Sequence, residues 1–277
     1  MHQEEAMKVY ISCDLEGING VIAGSQCGPG GNGYELARLW MTEEANAAIR
    51  GAAQAGAQEI VVKDSHGPAT NILLDKLNGR AQLISGWGMN HSMVEGLDET
   101  FDALLLVGYH AMARTPTGAL SHTMTGYVHG VAINGQSVGE SGIAALYAGA
   151  YGVPLVFASG DAALTAEIQA LIPGVQTVTV KNSLSRQGSM MKSVEQTRRE
   201  IESEVFRALS AGKFPAPYHP QPIEMEYTTQ TPEAAQLCSY IPTVERVDAL
   251  RVRFPATDGV AASKLFYVIR TICGTFQ

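Results

Sequence analysis

The stretch KVYISCDLEG, residues 8–17, decides how this chain begins to fold. Its first six residues are mostly apolar or β-branched, which is typical of a buried β-strand. Two carboxylates, Asp14 and Glu16, follow directly, and side chains two residues apart in extended backbone share a face. Carboxylates held close together repel each other and lose hydration, and a divalent cation removes both penalties. The stretch therefore predicts a buried strand that ends at a metal site.

Outward from this stretch, short apolar segments alternate with helix-like segments through the first two-thirds of the chain. Strands are predicted at residues 59–64, 102–110 and 153–161, and helices at 34–56 and 139–152. This order indicates βαβ units, and hence a mainly parallel sheet flanked by helices.

Two later segments depart from this alternation. Residues 121–135 alternate in polarity and end in Asn134-Gly135, which predicts an antiparallel hairpin and a mixed sheet. After the proline-rich residues 213–222, the order strand, helix, strand, helix predicts a smaller α+β lobe. We therefore expect an α/β fold with a mainly parallel, mixed central sheet. Its metal-binding catalytic domain spans 1–190, and the smaller C-terminal α+β lobe spans 191–277.

The composition narrows the function classes. The 277 residues carry 19 basic and 27 acidic side chains, a net charge of -8, which argues against binding to nucleic acid or anionic membranes. The four cysteines have no CxxC spacing, so reduced thiols are expected. The N-terminal residues lack the basic start and apolar run of a signal peptide, and no apolar stretch reaches the ~18 residues of a membrane span. We expect a soluble, cytoplasmic protein.

Carboxylates and imidazoles collect where the predicted strands end, which is where open α/β sheets carry their chemistry. These residues are Asp14, Glu16, His66, His110 and Glu140, with His122 at the start of the predicted hairpin. Three acids and two imidazoles exceed one tetrahedral zinc site and suit two metals about 3.5–4 Å apart. Taken singly, each residue also has a simpler interpretation, such as a turn cap for Asp14 or a helix-dipole partner for Glu140.

Several short motifs occur in an order that resembles a known family. They are SCDLEG (12–17), MTEEAN (41–46), DSH (64–66), LISG (83–86), SMVEGLD (92–98), GYHA (108–111), SHTM (121–124) and VGESG (138–142). Together they resemble the zinc-dependent D-aminopeptidases of family M55. The resemblance runs from about Lys8 onward and weakens in the last third of the chain.

The resemblance implies a site and an assembly. The family's ligands for two zinc ions per subunit fall on the same five residues that the strand ends indicate: Asp14, Glu16, His66, His110 and Glu140. His122 corresponds to the family's catalytic histidine. The family's ring-like decamers imply a homo-oligomer here, with short peptides as substrates and no nucleic-acid or membrane partner.

We therefore expect a zinc aminopeptidase in which zinc-activated water removes the first residue of a short peptide, of the D-Ala type. Asp14 is the expected bridging carboxylate, and His122 would stabilise the oxyanion or protonate the leaving amine. Asp64 is expected either to orient an imidazole or to be a surface-exposed acid. A two-metal phosphoesterase, with Lys63 and Arg114 near the phosphate, and a non-catalytic cytosolic peptide-binding protein remain alternatives.

Overall fold

A computed structural model of the protein describes residues 6–88, 90 and 92–276. Within these residues the strands are, in chain order, β1 (Lys8–Cys13), β2 (Glu59–Asp64), β3 (Gln82–Ile84), β4 (Ala103–Tyr109), β5 (Gly130–Ile133), β6 (Gln136–Ser137), β7 (Leu155–Asp161), β8 (Gln176–Ser185), β9 (Gly188–Met191), β10 (Ile223–Thr228), β11 (Glu245–Arg246) and β12 (Arg251–Ala256). The α-helices are α1 (Tyr34–Gln54), α2 (Glu140–Gly149), α3 (Ala162–Leu171), α4 (Val194–Ser210), α5 (Pro232–Cys238) and α6 (Gly259–Cys273).

The central sheet has seven strands in the order β3-β2-β1-β4-β7-β8-β9. The strands from β3 to β8 run parallel, and only β9 is antiparallel to its neighbour. α1 and α4 cover one face, against Ile11 and Leu105, and α2 and α3 cover the other, against Tyr10 and Leu104. Because both faces are covered, the strands are nearly continuous apolar runs. The predicted fold class, a mainly parallel but mixed sheet with flanking helices, is confirmed.

A second, antiparallel sheet has five strands in the order β11-β12-β10-β5-β6. The predicted turn at Asn134-Gly135 joins β5 to β6, and both residues have positive φ, 50° and 80°. This hairpin pairs with β10 rather than with the central sheet, so the mixed character of the central sheet comes from β9 instead. α5 and α6 pack on the second sheet around a separate apolar core that includes Tyr227, Phe254 and Phe266.

The chain thus enters the second sheet twice, at residues 130–137 and again from residue 223. Between these passages α4, which follows residue 190, packs against α1 of the central layer. The expected division into a catalytic domain, 1–190, and a C-terminal lobe, 191–277, stays a prediction. In the described part of the chain, none of the helices combines the length and apolar character required to cross a membrane.

Candidate metal centre

Three adjacent parallel strands bring polar side chains to one edge of the central sheet. Cys13 at the end of β1 is in register with Asp64 of β2 and Val107 of β4. The chain therefore leaves all three strands at the same level, the place where α/β sheets bind ligands. The residues that follow the strands there are Asp14, Glu16, His66 and His110.

The turn after β1 is held tightly against the end of β4. Gly17 donates its backbone N–H to Gly108 O at 2.8 Å. A Cβ on Gly17 would lie 1.8 Å from Tyr109 O, and a Cβ on Gly160 would lie 1.9 Å from the same atom. The carbonyl of Tyr109 thus runs between two glycines, and a side chain at either would push the backbone beside His110 out of place.

One buried ammonium fixes the rest of this turn. Lys181 of β8 is fully buried and donates from Nζ to the backbone oxygens of Glu16, Ile18 and Val21 at 2.5, 2.9 and 2.6 Å. Burial lowers the pKa of Lys181 to about 8, although Asp161 and Glu44 oppose the shift. An ammonium that satisfies three carbonyls at once gives the turn that carries Glu16 a single geometry.

The carboxylates and imidazoles meet in a buried cluster. His66 Nδ1 lies 3.2 Å from Asp14 Oδ1 and 2.8 Å from Glu16 Oε2. His110 Nε2 lies 3.3 Å from Asp14 Oδ2 and 3.3 Å from Glu140 Oε1. Asp14 therefore presents its two oxygens to two different imidazoles, and all five side chains are at least nine-tenths buried.

The other ring nitrogens determine which tautomers are present. His66 donates its Nε2–H to Cys27 O at 2.7 Å, and His110 donates its Nδ1–H to Ala111 O at 3.0 Å. In the neutral rings the remaining nitrogens carry lone pairs, and these point at carboxylate oxygens. Two lone pairs at about 3 Å repel each other, so a cation is required between them, and backbone carbonyls that orient imidazoles in this way are typical of metal ligands.

The pKa shifts in the cluster also indicate that positive charge is needed to stabilise it. Burial, and then the neighbouring charge of Glu16, raise the pKa of Asp14 to about 7. Burial opposes protonation of His66 and His110, but the surrounding carboxylates outweigh it and raise the pKa of both rings well above the usual value. The three acids are thus stable together only with protons or metal ions among them.

The donor set fits a divalent metal. Asp14 Oδ2 and His110 Nε2 are buried and, among the described residues, have no hydrogen-bond partner. Two overlapping groups offer donor atoms within 4.8 Å of one another, namely Asp14 with Glu16 and His110, and His110 with His122 and Glu140. Oxygen and nitrogen donors of this kind suit zinc and similar ions.

His122 lies beside this cluster but is more accessible. Its ring stacks on His110 with centroids 4.2 Å apart, and its Nε2 is 3.6 Å from Glu140 Oε1 and 3.9 Å from Glu16 Oε1. Its Nδ1–H donates to Leu120 O at 2.9 Å, which leaves Nε2 free to accept a proton. Leu120 and Met124, two residues to either side, have φ of 49° and 62°, a left-handed backbone rare for such residues.

A cavity of about 360 Å³ opens beside the cluster. Glu16, His66, His122 and Glu140 line one part of it. The apolar and aromatic part of the wall comprises Trp87, Met93, Met124, Ile143, Ala144, Phe266 and Tyr267, and Arg270 completes it from α6. The volume falls at the lower end of the ~300–1,000 Å³ range of small-molecule sites.

Sequence reasoning assigned some neighbouring residues differently. Asp64 is buried, but it accepts hydrogen bonds from Asn71 and Ile72 in the loop after β2, and no histidine in the described part of the chain forms a hydrogen bond with its side chain. Lys63 Nζ donates to Gly86 O and lies 4.7 Å from the centroid of Trp87, so it supports the cavity wall from behind. Arg114 approaches His129 in an exposed position and does not line the cavity.

Other residues that shape the cluster and the cavity had no recognisable signal in the sequence. Lys181 looks like an ordinary strand residue, and the Cys27 carbonyl belongs to a glycine-rich loop. The α6 side chains reach the cavity only because the second sheet folds back onto α2, which α6 contacts. The order of strands and helices in the last part of the chain predicted a helix here, but nothing in it marked Arg270 as a cavity residue.

The fold and the site together define the class: a mixed α/β protein with a buried carboxylate–imidazole centre whose donors suit divalent metals, next to a cavity of small-molecule size. The particular family follows from comparison, because the D-aminopeptidase family model, Peptidase_M55, matches residues 7–268. The chain belongs to this family, and the resemblance read from its motifs is confirmed.

Two relatives are similar to the chain. A D-aminopeptidase of Bacillus subtilis (strain 168) is 46% identical over 180 residues, which cover 65% of this chain and 65% of that protein, just under two thirds of its length. A solved structure, the Zn-dependent D-aminopeptidase DppA from Bacillus subtilis, described as a self-compartmentalizing protease, superposes with a TM-score of 0.92 at 36% identity. That match covers 97% of this chain and 98% of the other.

Proposed function

We propose that this protein is a zinc-dependent aminopeptidase that removes the N-terminal residue, of D configuration, from short peptides. The observation that carries the proposal is the buried cluster in which ring nitrogens of His66 and His110 face the two oxygens of Asp14, beside a cavity of small-peptide size. Membership of the D-aminopeptidase family and the zinc dependence of the structural relative support the metal and the configuration.

The proposed ligands of two zinc ions per subunit are Asp14, Glu16, His66, His110 and Glu140. Asp14 is the proposed bridging ligand, which is supported by its Oδ1 facing His66 and its Oδ2 facing His110. When bound, zinc would supply Lewis-acid activation of water and of the peptide carbonyl.

His122 is the proposed catalytic residue. Because its Nδ1–H is held by Leu120 O, its Nε2 is the atom that takes up and returns a proton. Its greater exposure and its place in the cavity wall let it contact a bound peptide, where it donates a proton to the leaving amine or stabilises the oxyanion.

The test is hydrolysis of matched D- and L-alanyl anilides by zinc-loaded protein, with and without a chelator. We expect the D-alanyl compound to be hydrolysed at least tenfold faster in kcat/KM, and the chelator to abolish turnover until zinc is restored. Equal rates on both enantiomers would refute the proposed preference for the D configuration. Activity that persists in metal-free protein would refute the proposed zinc dependence.

The two alternatives have less support. A phosphoesterase requires cationic groups at the phosphate. Lys63 is engaged by backbone oxygens and Arg114 does not line the cavity, so Arg270 is the one lysine or arginine among the described lining residues, and membership of the D-aminopeptidase family favours the peptidase. A binding protein with a structural metal has no need of His122, whose free Nε2 lies within reach of the cavity.

We further propose that the protein forms a homo-oligomer, a decamer by resemblance to its family, and that it acts on short peptides without nucleic-acid or membrane partners. The description of the structural relative as self-compartmentalizing supports the oligomer. Light scattering coupled to size-exclusion chromatography should give ten subunit masses. The cytoplasmic location expected from the sequence stays a prediction, which fractionation of expressing cells would test.

A further inference from the structure

The cavity beside the cluster contains a positive charge that the chemistry above does not use. Among the described residues that line it, Arg270 is the only lysine or arginine. Arg270 belongs to α6, whereas the proposed ligands follow strands of the central sheet or begin α2. The cavity thus has a carboxylate–imidazole part from one layer of the fold and a guanidinium from another.

The guanidinium is oriented but not neutralised. Its Cζ lies 4.7 Å from the centroid of the Tyr267 ring, a distance at which an aromatic face attracts a cation. Its Nε is buried, and no described residue accepts a hydrogen bond from it. The side chain as a whole is half-buried and lines the cavity, and no described residue forms an ion pair with it, so its other N–H groups are the ones available to a ligand that brings an acceptor.

The surroundings limit what that ligand can be. The only carboxylates that line the cavity, among the described residues, are Glu16 and Glu140 of the cluster. The rest of the wall combines apolar side chains, such as Trp87 and Phe266, with two imidazoles and the hydroxyls of three serines, Ser65, Ser92 and Ser263. A small molecule that has both apolar and hydrogen-bonding groups and carries one negative charge matches this combination, and guanidinium pairs with a carboxylate through two parallel hydrogen bonds.

We propose that Arg270 binds the C-terminal carboxylate of the peptide and thereby selects substrates whose C-terminus is free over those whose C-terminus is blocked. This inference rests on the proposed aminopeptidase function. The first residue of such a peptide occupies the metal centre, so its remaining charged group is the terminal carboxylate. A cavity of about 360 Å³ limits the distance between the two ends, which favours dipeptides over long chains.

The experiment compares D-alanyl-D-alanine with its C-terminal amide, using the zinc-loaded, full-length protein. Four proteins are measured: the wild type, Arg270→Gln, Arg270→Lys and the control Lys264→Gln. Lys264 is an exposed cation on the same helix and does not line the cavity. Zinc content and thermal unfolding are recorded for each protein, which identifies a variant that has lost its structure.

The wild type should prefer the free acid to the amide, and Arg270→Gln should lower kcat/KM for the acid about 10- to 100-fold, mainly through KM. The same variant should change the value for the amide less than about threefold, while Arg270→Lys recovers part of the loss and Lys264→Gln resembles the wild type. If the arginine were purely structural, its replacement would lower kcat/KM for both substrates by the same factor.

Equal losses on acid and amide, or a wild type indifferent to the terminal carboxylate, would overturn the inference. The second result needs no variant, so it decides the matter even if Arg270→Gln fails to fold. Hydrolysis of D-alanyl anilide without any preference for the acid would reject the carboxylate site and leave the aminopeptidase intact. Failure on all three substrates would reject the proposed function and the inference together.

Discussion

Replacement of Gly17 by alanine tests whether backbone packing at the strand ends creates the metal centre. Its added Cβ would lie 1.8 Å from Tyr109 O, whereas real contacts of this kind begin near 3.0 Å. The turn and the end of β4 must therefore separate by more than about 1 Å. Glu16 precedes this glycine and His110 follows this carbonyl, so the separation moves two of the proposed ligands.

The magnitude follows from the contacts that are lost. Overpacking of this kind costs about 1–3 kcal/mol. Weakening of the hydrogen bond from Gly17 N to Gly108 O, now 2.8 Å, adds about 1 kcal/mol. We expect the melting temperature to fall by about 3–7 °C. A misplacement of about 1 Å between ligands should lower kcat/KM about 10²-fold and zinc affinity about 10- to 100-fold.

The assay measures thermal unfolding, zinc retained after dialysis and kcat/KM on a D-alanyl anilide. Gly24→Ala is the matched control, because a Cβ there meets no atom within 4 Å. Gly17→Ala should lose stability, zinc and activity together, and Gly24→Ala should retain all three. Wild-type zinc content and activity in Gly17→Ala would refute the reasoning, as would an equal loss in the control.

The remaining predictions concern individual side chains. Asp14→Ala or His110→Ala should lose zinc and activity together, whereas His122→Ala should keep its zinc and lose about 10²–10⁴-fold in kcat. Elemental analysis measures the zinc and steady-state kinetics measure the activity. Zinc loss in His122→Ala would contradict the division of roles between ligands and catalytic residue. Lys181→Met should weaken zinc binding about 10- to 100-fold in a chelator competition, since the turn that carries Glu16 loses three hydrogen bonds; unchanged affinity would exclude this anchoring role. Burial raises the pKa of Glu44 to about 8 against the opposing charges of Lys181 and Arg198, so the folded state binds a proton that the unfolded state has released between pH 4.5 and 8. Stability should therefore fall across that window by ~5 kcal/mol, and Glu44→Gln should flatten the decline in urea titrations; an identical slope in the variant would show that another group titrates.

The sequence predicted the central sheet and the polar residues at its edge well, because both are written in local patterns. The apolar run of β1 and the alternation of Asp14 and Glu16 are properties of a few consecutive residues. Parallel strands then bring their carboxyl ends to one edge by geometry alone. The strand ends therefore indicated side chains that the structure brings within about 3 Å of one another, as for His66 and Asp14.

Local sequence patterns did not predict the contacts between segments that are distant in the chain. The hairpin of β5 and β6 was recognised from Asn134-Gly135, but its partner, β10, lies some ninety residues later in the chain. Lys181 reaches the turn after β1 across about 165 residues of sequence. No short-range periodicity specifies such a pairing, because it depends on which faces remain to be buried once the sheet has formed.

By itself, the sequence determined that a parallel sheet forms and that acids and imidazoles gather at its edge, since alternation and apolar periodicity act over a few residues. Only the tertiary structure decided the tautomers of His66 and His110, the buried ammonium of Lys181 and the arrival of Arg270 at the cavity wall. The physical reason is that burial and charge depend on every segment packed around a group, and those segments meet only when the whole chain folds.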